Sequence, residues 1–137
     1  MDTILWDEES DAYTRRAINF HGKNGLYAKE TEWADYFGAT LNSFISTPES
    51  FCDIGCSYGA VVNEISKMYK NAFVVGIDPG EDSISVAKKN ITSGNVRFEV
   101  GHSHSLPIDD KSMDVVILRK VLQWLPRSKV LLYYCRN

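Results

Sequence analysis

The chain has 137 residues, of which 44% are hydrophobic and 24% charged, a composition typical of one soluble globular domain and not of disordered or membrane proteins. A net charge of −3 provides no basic surplus for nucleic-acid binding, and no apolar run is long enough to span a membrane. Residues 1–9 are acidic and lack the apolar core of a secretory signal. Cys52, Cys56 and Cys135 form no paired framework, so we expect plain thiols and a cytoplasmic setting.

The N-terminal third is polar and aromatic, and we expect residues 1–48 to form a helical cap region in front of a second domain at 49–137. A first helix is predicted at roughly 9–20, and a turn follows at 21–25. A second helix is predicted from apolar side chains at three- and four-residue intervals. That stripe consists of Trp33, Tyr36, Phe37, Leu41, Phe44 and Ile45.

From residue 50 onward, apolar strands alternate with helical segments. The predicted strands are 51–54, 72–77, 96–100 and 114–118. The predicted helices are 58–69, a segment capped by Asp82 or Ser83 and closed by Asn90, 121–125 and 128–135. This alternation predicts an α/β fold, a Rossmann-like parallel sheet with right-handed crossovers and flanking helices.

The glycine loop Gly55–Gly59 lies between the first strand and its helix, the layout of a nucleotide-binding crossover. Parallel sheets bind ligands beyond the carboxyl ends of their strands, and Asp78 ends the second strand at that edge, 19 residues after Gly59. Asp78-Pro79-Gly80 is also a good turn sequence. Because the acid and the glycine loop occur together at this spacing, we expect Asp78 to bind ribose hydroxyls.

Two other enzyme classes share part of this pattern. Gly55–Gly59 also reads as Gly-x-Ser-x-Gly, the nucleophile elbow of serine hydrolases, with Asp78 and His102 following in the correct order. Only 54 residues precede the loop, however, and no oxyanion motif is evident. A dinucleotide dehydrogenase needs Gly-x-Gly-x-x-Gly, and Ala60 and Val61 after Gly59 do not fit that register.

Five segments in the right order resemble the class I S-adenosylmethionine-dependent methyltransferases, in particular their small-molecule, type 11-like branch. Asp53–Gly59 resembles the family's first motif, with Ser57 in place of the middle glycine, and Val75–Asp78 resembles its second-strand acid. Gly101–Pro107, Asp109–Val116 and Val121–Leu125 resemble the later motifs. The resemblance covers residues 50–130 and implies S-adenosylmethionine as cofactor.

The resemblance implies a set of cofactor-binding residues: Asp53, Gly55, Cys56, Ser57, Gly59, Asp78, Pro79, His102, Ser103, Leu118 and Arg119. The backbone of the glycine loop would line the methionine and ribose, and Asp53 would reach the methionine amine through water. Asp78 would take the ribose hydroxyls, while Pro79 and Ser103 would border adenine. Backbone at the end of the fourth strand would lie near the methionine amine.

His102 occupies a position where the family usually has an acid that accepts from the adenine amino group. A histidine accepts there only when it is neutral and in the right tautomer, so backbone groups could take over this contact. His102 and His104 could alternatively ligate a metal, but no third ligand is evident nearby, and we expect no metal site.

The resemblance implies methyl transfer to a small-molecule acceptor, but neither the acceptor nor a catalytic base is identifiable. The family core has seven strands, and about four are predicted here, so we expect an incomplete, C-terminally truncated core. The alternative function is an inactive methyltransferase-like binding or interaction module. The fourth strand would lie at an exposed edge of the sheet, and such edges favour self-association.

Overall fold

The computed structural model describes residues 10–19, 31–119 and 121. Four parallel strands form one sheet: β1 Ser50–Ile54, β2 Phe73–Asp78, β3 Val96–Val100 and β4 Val115–Leu118. Their order across the sheet is β3-β2-β1-β4, so the direction of strand addition reverses between β1 and β4. Doubly wound sheets bind ligands at the carboxyl edge beside such a reversal. The predicted Rossmann-like α/β fold is confirmed.

The described helices pack against one face of this sheet, against one another or at its carboxyl edge. They are α1 at residues 10–19, α2 Thr31–Leu41, α3 Ala60–Met68 and α4 Glu81–Asn90. The predicted cap of α4 was wrong, because Gly80 is the N-cap residue and makes no side-chain capping bond of its own. Ser83 lies inside the first turn, where its N–H donates to Asp11 Oδ1 at 2.9 Å. The predicted segments 21–25, 122–125 and 128–135 lie outside the described residues.

Side chains alternate between the two faces of the central strand β1. Phe51 is fully buried on the face that α3 and α4 cover, together with Ile65 and Val74. Cys52 and Ile54 are buried on the opposite face. Side chains from the loop between β3 and β4, Leu106, Ile108 and Met113, pack on this second face. Burial on both sides explains why β1 and β2 are continuously apolar up to the acids at their carboxyl ends.

The predicted apolar stripe of α2 is only partly correct. Phe37, Leu41 and Ile45 pack against the core, as expected. Tyr36 is 73% exposed and Phe44 is 81% exposed, so these two do not belong to it. Tyr36 points about 100° away from Phe37 around the helix, and Phe44 follows the last residue of α2, where helical periodicity no longer applies. The Trp33 side chain lies outside the described part of the chain.

Candidate cofactor site

The loop after β1 folds back over the end of β2. The N–H groups of Gly55 and Cys56 both donate to the carbonyl of Ile77, at 2.7 and 3.1 Å. The Gly59 N–H donates to the Cys56 carbonyl at 2.9 Å and closes the turn before α3. These bonds bring the glycine loop and the end of β2 together at one edge of the sheet, as the sequence predicted.

Three residues of this loop have left-handed backbone conformations: Gly55 at φ 77°, Ser57 at φ 50° and Gly59 at φ 85°. A Cβ on Gly59 would also lie 2.8 Å from Ile91 Cδ1 and 2.9 Å from Phe98 Cζ, inside van der Waals contact. Ser57 replaces the family's middle glycine in a conformation that costs a non-glycine residue about 1–2 kcal/mol. Serine therefore keeps the side chain at this position small, but it strains the backbone.

Asp78 is the centre of the hydrogen bonding at this edge. It is only 3% exposed, and its Oδ2 accepts from the Ser57 N–H at 2.8 Å. Its Oδ1 accepts from the Gly80 N–H at 2.9 Å and from the hydroxyl of Ser10. Burial raises the pKa of the Asp78 carboxyl above its ordinary value, although these three hydrogen bonds oppose the shift. The carboxylate is thus fixed in place by backbone donors from two loops.

The sequence analysis missed the contribution of α1 to this region. Asp11 Oδ1 accepts from both the N–H and the hydroxyl of Ser83, each at 2.9 Å. Thr14 Oγ1 lies 2.9 Å from Ser57 Oγ and 2.7 Å from Ser83 Oγ. Ser10, Asp11 and Thr14 share one face of a helix, a polar i, i+1, i+4 pattern that could have signalled a buried polar contact. Their partners are 43 to 73 residues away, which no local pattern reveals.

Aromatic and aliphatic groups continue the contact of α1 beyond its first turn. The rings of Tyr13 and Tyr58 stack with a centroid distance of 6.3 Å and an interplanar angle of 9°. Ala17 and Ile18 pack against Tyr58, Ala60 and the neighbouring Val86. Tyr13 remains 51% exposed despite this stacking.

Asp53 and the end of β4 flank the glycine loop on the other side. Asp53 is 4% exposed and stands in register between Gly76 of β2 and Ile117 of β4. Leu118 pairs with Ile54, so Arg119 begins its loop next to Gly55. A Cβ on Gly55 would collide with the side chain of Val121, so the chain after β4 also approaches this loop.

The loop after β3 completes the edge. The Gly101 N–H donates to the Asp78 carbonyl at 3.0 Å, which ties this loop to the end of β2. His102 forms a bridge with Ser105, and the His102 and His104 rings lie 5.4 Å apart, tilted by 34°. Ser103 is 7% exposed, and its hydroxyl finds no hydrogen-bond partner among the described residues. A buried hydroxyl without a hydrogen-bond partner is rare in proteins.

Neither the thiols nor Ser57 is set up as a nucleophile. Burial, with the Asp53 charge nearby, raises the pKa of Cys52 to about 12. Burial likewise raises the pKa of Cys56, helped by the charges of Asp78 and Asp53. The Ser57 hydroxyl lies 2.9 Å from another hydroxyl, Thr14 Oγ1, whereas an elbow serine needs an activating base. The geometry thus favours a ligand loop over a hydrolase elbow.

Within residues 10–19, 31–119 and 121, no three His, Cys, Asp or Glu side chains converge into a group able to hold a metal ion. In the same ranges, no helix has the length and apolar character needed to cross a membrane.

Comparison with known proteins places this fold in a family. The family model described as "Methyltransferase domain" matches residues 45–134. The malonyl-[acyl-carrier protein] O-methyltransferase of Halalkalibacterium halodurans is 31% identical over 84 residues, which are 58% of this chain and 31% of that protein. The fatty-acid O-methyltransferase of Mycolicibacterium smegmatis is 25% identical over 90% of this chain and 39% of that protein.

A solved structure supports the same assignment. The plantazolicin methyltransferase BpumL in complex with SAH is 27% identical, with a TM-score of 0.59 over 74% of this chain and 39% of that one. The chain thus spans only about a third of the length of the curated relatives it matches. Residues 45–134, which the family model matches, contain the glycine loop, Asp78 and Ser103. On the family match, the chain belongs to the methyltransferase domain family, as its resemblance to class I S-adenosylmethionine-dependent methyltransferases implied.

Proposed function

We propose that this chain binds S-adenosylmethionine at the carboxyl edge of β1, β2 and β3, and that it serves methyl transfer to a small-molecule acceptor. The observation that carries the proposal is Asp78: a carboxylate at the end of β2, held by the backbone of the glycine loop through Ser57. A carboxylate in this position is suited to accept hydrogen bonds from a ribose diol. Each such charge-assisted bond contributes roughly 1.5–3 kcal/mol.

The remaining residues of the edge fit the same ligand. Gly55 and Gly59 allow backbone close to the ligand because neither carries a Cβ in its left-handed conformation. Cys56 contributes backbone, since its thiol is buried and protonated. The unpaired hydroxyl of Ser103 supports an adenine contact in the loop after β3. His102, at half-buried exposure, stands beside it.

The outer ends of the site have supporting roles in this proposal. Asp53 lies deep behind the glycine loop, where a bound water could link it to the methionine amine. Leu118 and Arg119 present backbone at the end of β4 for the same end of the ligand. Pro79, between Asp78 and Gly80, offers an apolar surface for adenine.

The cofactor supplies an activated methyl group on a sulfonium, so transfer needs chiefly a correctly placed acceptor. The chain's task is to bind, orient and exclude water, and such positioning accounts for several kcal/mol of a barrier. The exposed ring of Tyr13, which stacks on Tyr58 of the glycine loop, is our candidate for contact with the acceptor. The names of two relatives give malonyl-[acyl-carrier protein] and a fatty acid as acceptors, and the fatty acid favours a small organic acceptor here.

Isothermal titration of the chain with S-adenosylmethionine and S-adenosylhomocysteine tests the proposal. We expect one site with a micromolar dissociation constant for both ligands, and much weaker binding of adenosine or methionine alone. Absence of binding below millimolar concentrations would contradict the cofactor assignment. Incubation with a methyl-labelled donor and cell extract then seeks the acceptor.

The edge strand supports a further part of the proposal, association between copies of the chain. β4 pairs with β1 on one side and has no second strand neighbour among the described residues. Val116 in its middle is 48% exposed. Light scattering over a concentration series should show a dimer that Val116→Lys dissociates, since charges on edge strands oppose pairing. The free buried thiols Cys52 and Cys56 favour a reducing compartment such as the cytoplasm.

A further inference from the structure

The first turn of α1 contacts the carboxylate that the proposed function assigns to the ribose. The Ser10 hydroxyl donates to Asp78 Oδ1. Ser83, at the start of α4, stands behind this bond: its Oγ lies 3.3 Å from the Ser10 carbonyl oxygen and 3.4 Å from Ser10 Oγ. A hydroxyl from the chain itself therefore sits on the acceptor that a ribose hydroxyl would use.

The number of acceptor positions on Asp78 makes this contact a competing one. A carboxylate offers about four lone-pair positions. The N–H groups of Ser57 and Gly80 and the hydroxyl of Ser10 take three of them. A ribose diol needs two positions, and Asp78 is only 3% exposed. Both ribose hydroxyls can bond to Asp78 only after one of the present donors has left.

Ser10 is the donor that can leave without disturbing the sheet edge. Ser57 and Gly80 donate through backbone, and their loops are fixed by the glycine turn and by the start of α4. Ser10 donates through its side chain, and the polar contacts nearest to it run through Asp11 and Thr14. A side-chain hydroxyl that leaves a carboxylate can bond to water instead, so the exchange costs much less than the bond itself is worth.

The second half of α1 is held differently. Ala17 and Ile18 pack against Tyr58, Ala60 and Val86, so this half can stay in place while the first turn moves. Ser10, Asp11 and Thr14 thus form a polar contact beside the apolar contact of Ala17 and Ile18. This polar contact also closes the space above Gly80, where a Cβ would collide with Asp11 Oδ1 and lie 3.0 Å from Ser10 Oγ.

We propose that the first turn of α1 is an autoinhibitory latch: the Ser10 hydroxyl occupies the ribose-binding oxygen of Asp78, and the cofactor binds by displacing it. The latch rests on the proposed function, since it assumes that Asp78 binds the ribose. It makes cofactor affinity depend on how firmly the N-terminal segment docks. Any partner or substrate that draws α1 away from Ser83 would raise that affinity.

Titration with S-adenosylhomocysteine of the unmodified chain, Ser10→Ala and Arg15→Ala tests the latch. Ser10→Ala removes the competitor, so we expect about three- to tenfold tighter binding. Arg15→Ala is the matched control, because it breaks only the exposed ion pair with Asp82, 3.6 Å long, and should leave the affinity unchanged. Unchanged or weaker binding by Ser10→Ala would overturn the latch while the proposed function stands.

Hydrogen exchange on the unmodified chain gives a readout that does not depend on any variant folding. If the ligand displaces the latch, amides of residues 11–14 exchange faster with S-adenosylhomocysteine bound, while those of 17–19 change little. Slower exchange at 11–14 on binding would mean that the turn closes over the ligand, and would overturn the proposal. If neither the unmodified chain nor Ser10→Ala binds, the proposed function fails and the latch with it.

Discussion

The loops after β2 and β3 are neighbours at the same edge of the sheet, yet their polar groups are in opposite states. Asp78, after β2, is buried and accepts three hydrogen bonds from within the chain. Ser103, after β3, is almost as buried, and its hydroxyl has no partner among the described residues. A single backbone bond from Gly101 to the Asp78 carbonyl connects the two loops.

The difference separates two ways of preparing a binding site. The Asp78 carboxylate is preorganised by its donors, but a ligand must displace one of them and gains only the difference between two bonds. The buried Ser103 hydroxyl has no hydrogen-bond partner among the described residues, so a ligand that reached it would gain nearly a whole hydrogen bond. In the proposed function, Asp78 therefore determines placement, and Ser103 supplies affinity that is not offset by competition.

The largest effect should come from Asp78→Ala. It removes both acceptors of the proposed ribose contact, and we expect S-adenosylhomocysteine affinity to fall tenfold or more in calorimetric titration. Asp82→Ala removes the same charge from the exposed first turn of α4 and should leave the affinity within about twofold.

The circular dichroism spectrum of Asp78→Ala must match that of the unmodified chain, because the Ser57 and Gly80 N–H groups lose their acceptor. Unchanged affinity in a folded Asp78→Ala variant would remove this carboxylate from the site. The contrast between Asp78 and Ser103 as two parts of one binding site would then no longer hold.

Ligand affinity and protein stability should change in opposite directions with pH, and both changes report on the Asp78 carboxylate. Burial raises the pKa of Asp78 above its ordinary value of 3.8. The charged form is the better acceptor, so affinity should fall as pH drops through this raised pKa. Because the folded pKa exceeds the unfolded one, the contribution of Asp78 to stability is fully present below pH 3.8 and is lost as pH rises through the folded pKa.

Asp78→Asn isolates these effects from other titrating groups. The affinity of both proteins is measured by titration, and their unfolding free energy by urea denaturation. As pH falls through the same acidic range, the unmodified chain should lose affinity relative to Asp78→Asn and gain stability relative to it. Parallel pH profiles for the two proteins would show that Asp78 does not titrate there. Its three hydrogen bonds would then outweigh its burial.

Local patterns in the sequence were enough to predict the sheet and one side of the site. The apolar strands ending in Asp53 and Asp78 predicted β1 and β2 to within a residue or two, because strands buried on both faces leave a continuous apolar signal. The glycine loop was recognisable because left-handed positions favour glycine. The binding roles of these residues stay predictions until a ligand is measured.

The parts that the sequence did not reveal depend on contacts between distant segments. Ser10 and Asp78 are 68 positions apart, and polar residues on one short helix face carry no strong periodic signal. The left-handed conformation of Ser57 was hidden because size alone suggested that serine could replace glycine. Phe44 was wrongly assigned to the apolar stripe of α2 for a related reason, since an apolar pattern does not show where its helix ends.

The smallest effects come from a matched pair of buried serines. Ser83 is fully buried and hydrogen-bonded to Asp11 and Thr14, so Ser83→Ala should lower the unfolding free energy by about 1–3 kcal/mol. Ser103→Ala removes a hydroxyl without a partner among the described residues, so stability should stay level or rise by up to about 1 kcal/mol. Urea denaturation of both variants measures the contrast.

Ligand affinity completes the test of Ser103. Loss of one neutral hydrogen bond should weaken S-adenosylhomocysteine binding about two- to fivefold in Ser103→Ala, although the protein is no less stable. Equal destabilisation by Ser83→Ala and Ser103→Ala would mean that both hydroxyls are satisfied in the folded chain, and the contrast between the two loops would vanish. Weaker binding without loss of stability is the combination that only a hydroxyl held for the ligand produces.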